Sequence, residues 1–277
     1  MKILAIGDFH GKFPKKFEKI VKDEDIDVVV SNGDYFPFHH RKLWFKHCYG
    51  TDTELWEVIG KKKFKELMKK ELKDGENSIK KLNALSASVL TVYGNLDYTH
   101  KRDTFDIKGK AKWAWDEQDF FSPIVKKYKN IKRIDYSYAK IGDYVFIGVY
   151  GGTNPGKVKS KTYRKHKEKL NKLFKKFSKE NKEGKVVFVS HNVPYNTKID
   201  KIGKDAHPKV RGKHYGSKLV RRAIDKWQPI LHFAGHIHEG KGKDKIGRTV
   251  SVNCGSAHEN EGAIIEIKDK KVKVRFI

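Results

Sequence analysis

Asp8 and His10 stand two residues apart at the end of the apolar run Ile3 to Ile6, and a short apolar run ending in a polar turn recurs along the chain. Val28 to Val30 leads into Asn32-Gly33-Asp34, and Val89 to Val92 into Gly94-Asn95-Leu96-Asp97. Val186 to Val189 leads into Ser190-His191-Asn192, and Leu231 to Ala234 into Gly235-His236-Ile237-His238. Imidazole and carboxylate suit borderline divalent metals such as Mn, Fe, Co, Ni or Zn, whereas an all-oxygen set would point to Mg or Ca. Asp8, His10, Asp34, Asn95, His191, His236 and His238 are too many ligands for one catalytic ion and fit two that share a carboxylate. Two ions about 3.5–4 Å apart activate a water and stabilise the attacking and leaving oxygens of an in-line displacement at phosphorus.

These residues need strands to bring them together. The runs have strand length and several are rich in β-branched residues, the pattern of strands buried on both faces. Val145 to Val149 is a further run of this kind. Helical patterns separate many of them: Tyr163, Leu170, Leu173, Phe174 and Phe177 share one stripe between Thr162 and Lys182, and Ser217 to Trp227 repeats the pattern. Val250 to Val252, Ala263 to Ile267 and Val272 to Ile277 predict antiparallel strands, the last two joined at Asp269-Lys270. The order predicts an α/β chain of mixed sheets with helices on the outer faces. Ligands of open α/β sheets bind beyond the carboxyl ends of the strands, so the five turns converge on one site. We expect residues 1–277 to form one domain, with a basic helical insertion at about 35–85 and an aromatic-rich, cap-like one at about 98–128.

Taken in order, the five motifs resemble those of the calcineurin-like metallophosphoesterase superfamily: D-x-H, then G-D, then G-N-H-D/E, then H, then G-H-x-H. The resemblance runs from Asp8 to His238. It implies a four-layer α/β/β/α sandwich and two divalent metal ions, Mn2+ favoured among Mn2+, Fe, Ni2+, Co2+ and Zn2+. By the same resemblance, Asp8, His10 and His238 hold the first metal, Asn95, His191 and His236 the second, and Asp34 bridges; Asp34, Asn95 and His191 thereby take part in catalysis. The stretch from His191 through His214-Tyr215-Gly216-Ser217 to His236 also looks like the Icc-related branch of the superfamily.

Leu96 departs from the pattern, because many members carry there a histidine thought to protonate the leaving group. Losing a general acid typically forfeits about 10²- to 10⁴-fold in rate. Three other histidines are replacement donors: His207, His258 and, in the loop between two ligand motifs, His214, which we expect to point into the site and touch substrate. Asp97 is expected to support the Asn95 loop from behind. Asn154, after the run Val145 to Val149, is placed within reach of substrate.

The formal charge of +27 either serves to concentrate polyanions around the protein or is an adaptation of a lysine-rich surface to solubility or growth temperature. A phosphate-ester partner fits, and a phosphodiesterase acting on nucleotides or nucleic acid is the favoured reading; aromatics between Tyr98 and Phe121 either stack bases or, the preferred reading, pack the insertion against the core. A phosphomonoesterase or protein phosphatase is one alternative, disfavoured by Leu96, and a non-catalytic scaffold is another. Two cysteines, Cys48 and Cys254, are too few for a disulfide framework. No stretch approaches the roughly 20 apolar residues of a membrane span. The N-terminal apolar run is too short for a signal peptide. A cytoplasmic location without membrane contact is expected, and the sequence leaves the oligomeric state open.

Overall fold

The computed structural model describes residues 1–99, 112–151, 158–203 and 210–277. Two six-stranded mixed sheets lie face to face. The first has the order β12-β11-β1-β2-β3-β4, with β1 Lys2–Ile6, β2 Val28–Ser31, β3 Ser88–Thr91, β4 Ile131–Arg133, β11 Ala263–Lys268 and β12 Lys271–Phe276. The second has the order β5-β6-β7-β8-β10-β9, with β5 Tyr138–Ile141, β6 Tyr144–Gly148, β7 Val186–Asn192, β8 Leu231–Gly235, β9 Gly242–Ile246 and β10 Thr249–Asn253.

Strand alternation decides which side chains meet in the middle. Ile3 and Ala5 of β1 face Val187 and Val189 of β7 and Leu231 and Phe233 of β8 in the core between the sheets. Leu4 and Ile6 point the other way, onto α1 Lys16–Asp23 and α4 Lys61–Asn83, through Phe17, Val21, Ile79 and Leu82. On the far side, Val186 and Phe188 pack under α6 Lys161–Lys176 and α8 Lys218–Trp227. The result is the expected α/β/β/α sandwich. Both helices start on a serine whose side chain accepts a backbone N–H, from Tyr163 to Ser160 and from Val220 to Ser217.

Two local expectations need correction. The stripe from Thr162 to Lys182 is two helices, because it breaks at Phe177 before α7 Ser178–Lys182. Strand β10 is parallel to β8 and antiparallel only to β9, a short charged strand whose alternation the sequence hides. The predicted hairpin forms between β11 and β12, with Asp269 and Lys270 both left-handed at φ 49° and 59°.

Residues 35–85 carry α2 Arg41–His47, α3 Leu55–Ile59 and α4. The next stretch returns as α5 Phe121–Val125. Their aromatic residues pack on each other: Leu55, Phe64 and Met68 from the first meet Trp113, Trp115 and Phe120 from the second. Lys61 and Lys65 lie over the Trp113 ring, so this tryptophan is committed to packing the two stretches together.

Candidate metal centre

The parallel strands β1, β2, β7 and β8 all deliver their last residues to one end of the sandwich, and there the predicted ligands meet. Asp8, His10 and His238 bring one ligand atom each within 4.8 Å of one another, and Asp8, Asp34 and His191 form a second such group. Asn95 Oδ1 lies 2.8 Å from His191 Nε2, and His236 Nδ1 lies 3.1 Å from the same nitrogen. His10 and His238 bring their Nε2 atoms to 3.4 Å. Asp8 belongs to both groups, whereas the resemblance gives the bridging place to Asp34. Asp34 Oδ1 accepts the Leu96 N–H at 2.8 Å, and its Oδ2 lies 3.5 Å from His191 Nε2.

The donor set fits cations rather than internal hydrogen bonds. His191 Nδ1 faces the Asn32 carbonyl at 2.9 Å, and a carbonyl only accepts, so Nδ1 carries the hydrogen and Nε2 presents a lone pair. That lone pair faces a carboxylate oxygen and another ring nitrogen. Burial holds His10 near 4 and His236 near 3, and lowers His191 as well, so these rings are neutral donors at physiological pH. Burial, with the charges of Asp8 and Asp97, raises the Asp34 carboxyl well above its ordinary value. Burial opposes ionisation of Asp8 too, but the hydrogen bond from His238 and neighbouring histidines hold it below the usual carboxylate range. Two wholly buried carboxylates this close call for bound positive charge, which divalent metals supply.

The turns that build the cluster are strained. Asp8, His10, Asp34 and His236 all have left-handed backbones, with φ of 55°, 45°, 55° and 68°. Such conformations cost roughly 1–3 kcal/mol each for non-glycine residues and concentrate at functional sites. Glycine is required beside them: a Cβ on Gly94 would sit 2.0 Å from Asp34 Oδ1, and one on Gly235 would sit 2.0 Å from Asp8 Oδ2. Asp97, fully enclosed, accepts the N–H groups of Asp34, Tyr35 and Gly94, all at 2.8 Å, and so ties the Asp34 and Asn95 turns together. Asn32 escaped notice in the sequence as an apparent turn residue, yet its Nδ2 donates to Asp8 Oδ2 at 2.9 Å.

A cavity of 950 Å3 opens from the cluster and is walled by the 35–85 segment and by Tyr98 and Phe120. Leu96 lines it, so the position of the missing histidine does face the space where substrate would sit. His214 does not take that histidine's place. Its Nδ1 is held at 2.6 Å by buried Asp200, and it lines a separate small cavity with Thr197, Lys201 and Asp244. His258 lines the large cavity instead, with its ring 6.2 Å from that of His10. Trp113 and Trp115 are absent from this wall, and Phe121 is buried in the core. Asn154 and His207 lie outside the described residues.

Fold and cluster together define a metal-dependent phosphoester hydrolase of the four-layer type. The family model of calcineurin-like phosphoesterases matches residues 1–240, and the chain belongs to that family, whose members are dinuclear metal-dependent. It is 30% identical over 256 residues to an uncharacterised protein, MJ1162, of Methanocaldococcus jannaschii, covering 91% of this chain and 87% of that one. A dimetal phosphatase from Danio rerio shares the fold with a TM-score of 0.59 at 11% identity, over 100% of this chain and 95% of that one. The Thermus thermophilus protein TT1561 does so at 0.56 and 14% identity, over 99% and 97%. Among the described residues no helix is long and apolar enough to cross a membrane.

Proposed function

We propose that the protein is a dinuclear phosphodiesterase whose substrate carries a large organic group, a nucleotide or a nucleic-acid end being the chemistry that fits best. The observation that carries this reading is the 950 Å3 cavity that opens directly from the ligand cluster. A bare phosphate occupies a small fraction of that volume, and the remaining wall is largely aromatic and apolar, so the space suits an ester group rather than solvent. The charge of +27 favours a polyanionic substrate.

In this reading Asp8, His10 and His238 would hold one metal and Asn95, His191 and His236 the other, with Asp34 and Asp8 as the carboxylates available to both. The metals, when bound, supply Lewis acidity and an activated water, with Mn2+ the favoured ion. The chain's own part is positional. Asp97 and Asn32 hold the ligand turns, and the cavity wall orients the ester. Leu96 has no proton to give, so the leaving oxygen depends on its own acidity or on His258, which stands on the cavity wall beside His10. A diester with an acidic leaving alcohol is served better by such a site than an alkyl monoester.

The test is hydrolysis of methyl 4-nitrophenyl phosphate against 4-nitrophenyl phosphate in Mn2+, with cyclic and linear nucleotides alongside. Faster turnover of the diester is expected. Preference for the monoester would transfer the reading to a phosphomonoesterase, and full activity in an Asp34→Asn protein would remove the metal centre from it.

A further inference from the structure

Helix α2 supplies a stretch of cavity wall made of exposed aromatic rings. The helix buries none of its residues, yet Trp44, Phe45 and the following Tyr49 all line the cavity that reaches His10, Asp34 and His236. Phe45 and Tyr49 are each 43% exposed, their ring centroids 5.1 Å apart, and Trp44 meets Phe45 edge-on at 5.2 Å. Apolar area left in water contributes nothing to folding stability. Trp44 packs on the cluster of Leu55, Phe64 and Met68, but the exposed faces of Phe45 and Tyr49 are not explained by packing. The helix itself is cationic: Arg41 lies over the Phe45 ring at 5.4 Å, and Lys42 and Lys46 share the helix, which has no acidic residue, although Glu54 and Asp116 stand elsewhere on the cavity wall.

The residue before the helix adds an oriented polar atom. His40 Nδ1 meets Glu71 Oε1 at 2.9 Å, and Glu71, wholly buried on α4, also accepts from the His39 N–H and the Tyr98 hydroxyl. Phe38 packs edge-on against the ring at 4.7 Å and fixes its plane. Nδ1 is thereby committed to Glu71. Nε2 has no partner among the described residues, and His40 lines the same cavity. A stacking face beside one directed hydrogen-bonding nitrogen is what a nucleobase requires, since its π face stacks on aromatic rings and its edge is read by hydrogen bonds.

We infer that Phe45, Tyr49 and His40 form a nucleobase subsite, with Arg41 beside it for the anionic backbone. The occupant is the base of a phosphate ester whose phosphate lies at the metal cluster, so the inference rests on the phosphoesterase reading for the position of the phosphate. A protein or lipid partner covering the same rings would show no dependence on the base.

Calorimetric titration of the Mn2+-supplemented protein with adenosine 5′-monophosphate and with ribose 5-phosphate tests this, because the two differ only in the base. The nucleotide should bind roughly 5- to 160-fold more tightly, the range expected for a base stacked on an aromatic side chain. A Phe45→Ala, Tyr49→Ala protein should bind both compounds alike, with the affinity for ribose 5-phosphate and the melting temperature unchanged. His40→Ala should weaken nucleotide binding and spare ribose 5-phosphate binding, while lowering the melting temperature because buried Glu71 loses a partner. Equal affinity of the unaltered protein for the two compounds, or a double variant that keeps the preference, overturns the subsite while leaving the phosphoesterase reading intact. Binding of neither compound overturns both.

Discussion

The backbone carbonyl of Asn32 accepts the Nδ1 hydrogen of His191 at 2.9 Å, and the Asn32 side chain donates to Asp8 at the same distance. One residue thus sets the ring orientation of a ligand from the second sheet and the carboxylate orientation of a ligand from the first. Both sheets are indexed to each other at this point.

Replacing Asn32 by alanine keeps the carbonyl and removes the amide. Outer partners of metal ligands typically contribute about 10- to 100-fold to metal affinity. An Asn32→Ala protein should therefore need about that much more Mn2+ for half-maximal activity while keeping its maximal rate within a few-fold. Metal titration of turnover decides, and an unchanged Mn2+ requirement would refute the assignment.

Gly94→Ala should be more damaging than its size suggests. The added Cβ falls 2.0 Å from Asp34 Oδ1 and 2.5 Å from the Asp34 backbone nitrogen, so the carboxylate must move. Metal content after dialysis should drop below two ions per chain, measured by plasma emission. Retention of both ions would show that the turn relaxes freely.

Leu96→His restores the usual pattern at a position that faces the cavity. A general acid contributes about 10²- to 10⁴-fold where the leaving group is poor. The variant should accelerate hydrolysis of phenyl esters at least tenfold and leave 4-nitrophenyl esters nearly untouched. His258→Ala should do the reverse, slowing only the phenyl esters. The slope of rate against leaving-group acidity reads both effects.

His214→Ala should leave turnover within about twofold, since the ring is bound to Asp200 in a separate cavity. The loss falls on stability: Asp200 also accepts from Thr197, Asn196 and Gly216, and removing one partner of a buried carboxylate costs about 1–3 kcal/mol. A lowered urea midpoint with unchanged kcat is the expected pair of results. A drop in kcat would return His214 to the active site.

Acid should destabilise the metal-free protein through His232 as well as through the cluster. This ring is fully buried between Ser190 and Ser251, and burial pushes it down to about 3. The unfolded chain protonates it near 6.5, so its stabilising contribution is complete above that pH and is lost as pH falls from 6.5 towards 3. At pH 5 the loss is about 2 kcal/mol. Urea midpoints at pH 7.5 and 5.0 should therefore converge when His232 is replaced by glutamine, compared with the unaltered chain.

Much of this was legible in the residues. The five polar turns are local signals, each written within a few positions of a strand whose β-branched residues announce it, and their convergence follows from parallel strands ending on one side. His214 misled because loop position between two ligand motifs says nothing about which way a ring points; a buried aspartate fourteen residues earlier in the chain decided that. Trp113 and Trp115 left two readings open, base stacking and packing, since aromatic content is the same whether rings stack on a ligand or on Phe64; they pack. The left-handed backbones at Asp8, His10, Asp34 and His236 carried only a weak sequence signal: aspartate and histidine enter that region more often than other non-glycine residues, but the turns around them impose it here.

Strand β1, which carries Asp8 and His10 at its end, pairs on one side with β2 and on the other with β11, where Ile3 stands opposite Ile265. A ribosome adding about 5–20 residues per second takes roughly 10 to 50 s to deliver that partner after the first strand has emerged. For that interval the Lys2–Ile6 strand has an open edge, although the β7 and β8 residues that cover its inner face precede β11 in the chain. His238, which completes the ligand group of Asp8 and His10, follows His10 by 228 residues, so that group forms only once the second sheet has brought its strand β8 alongside.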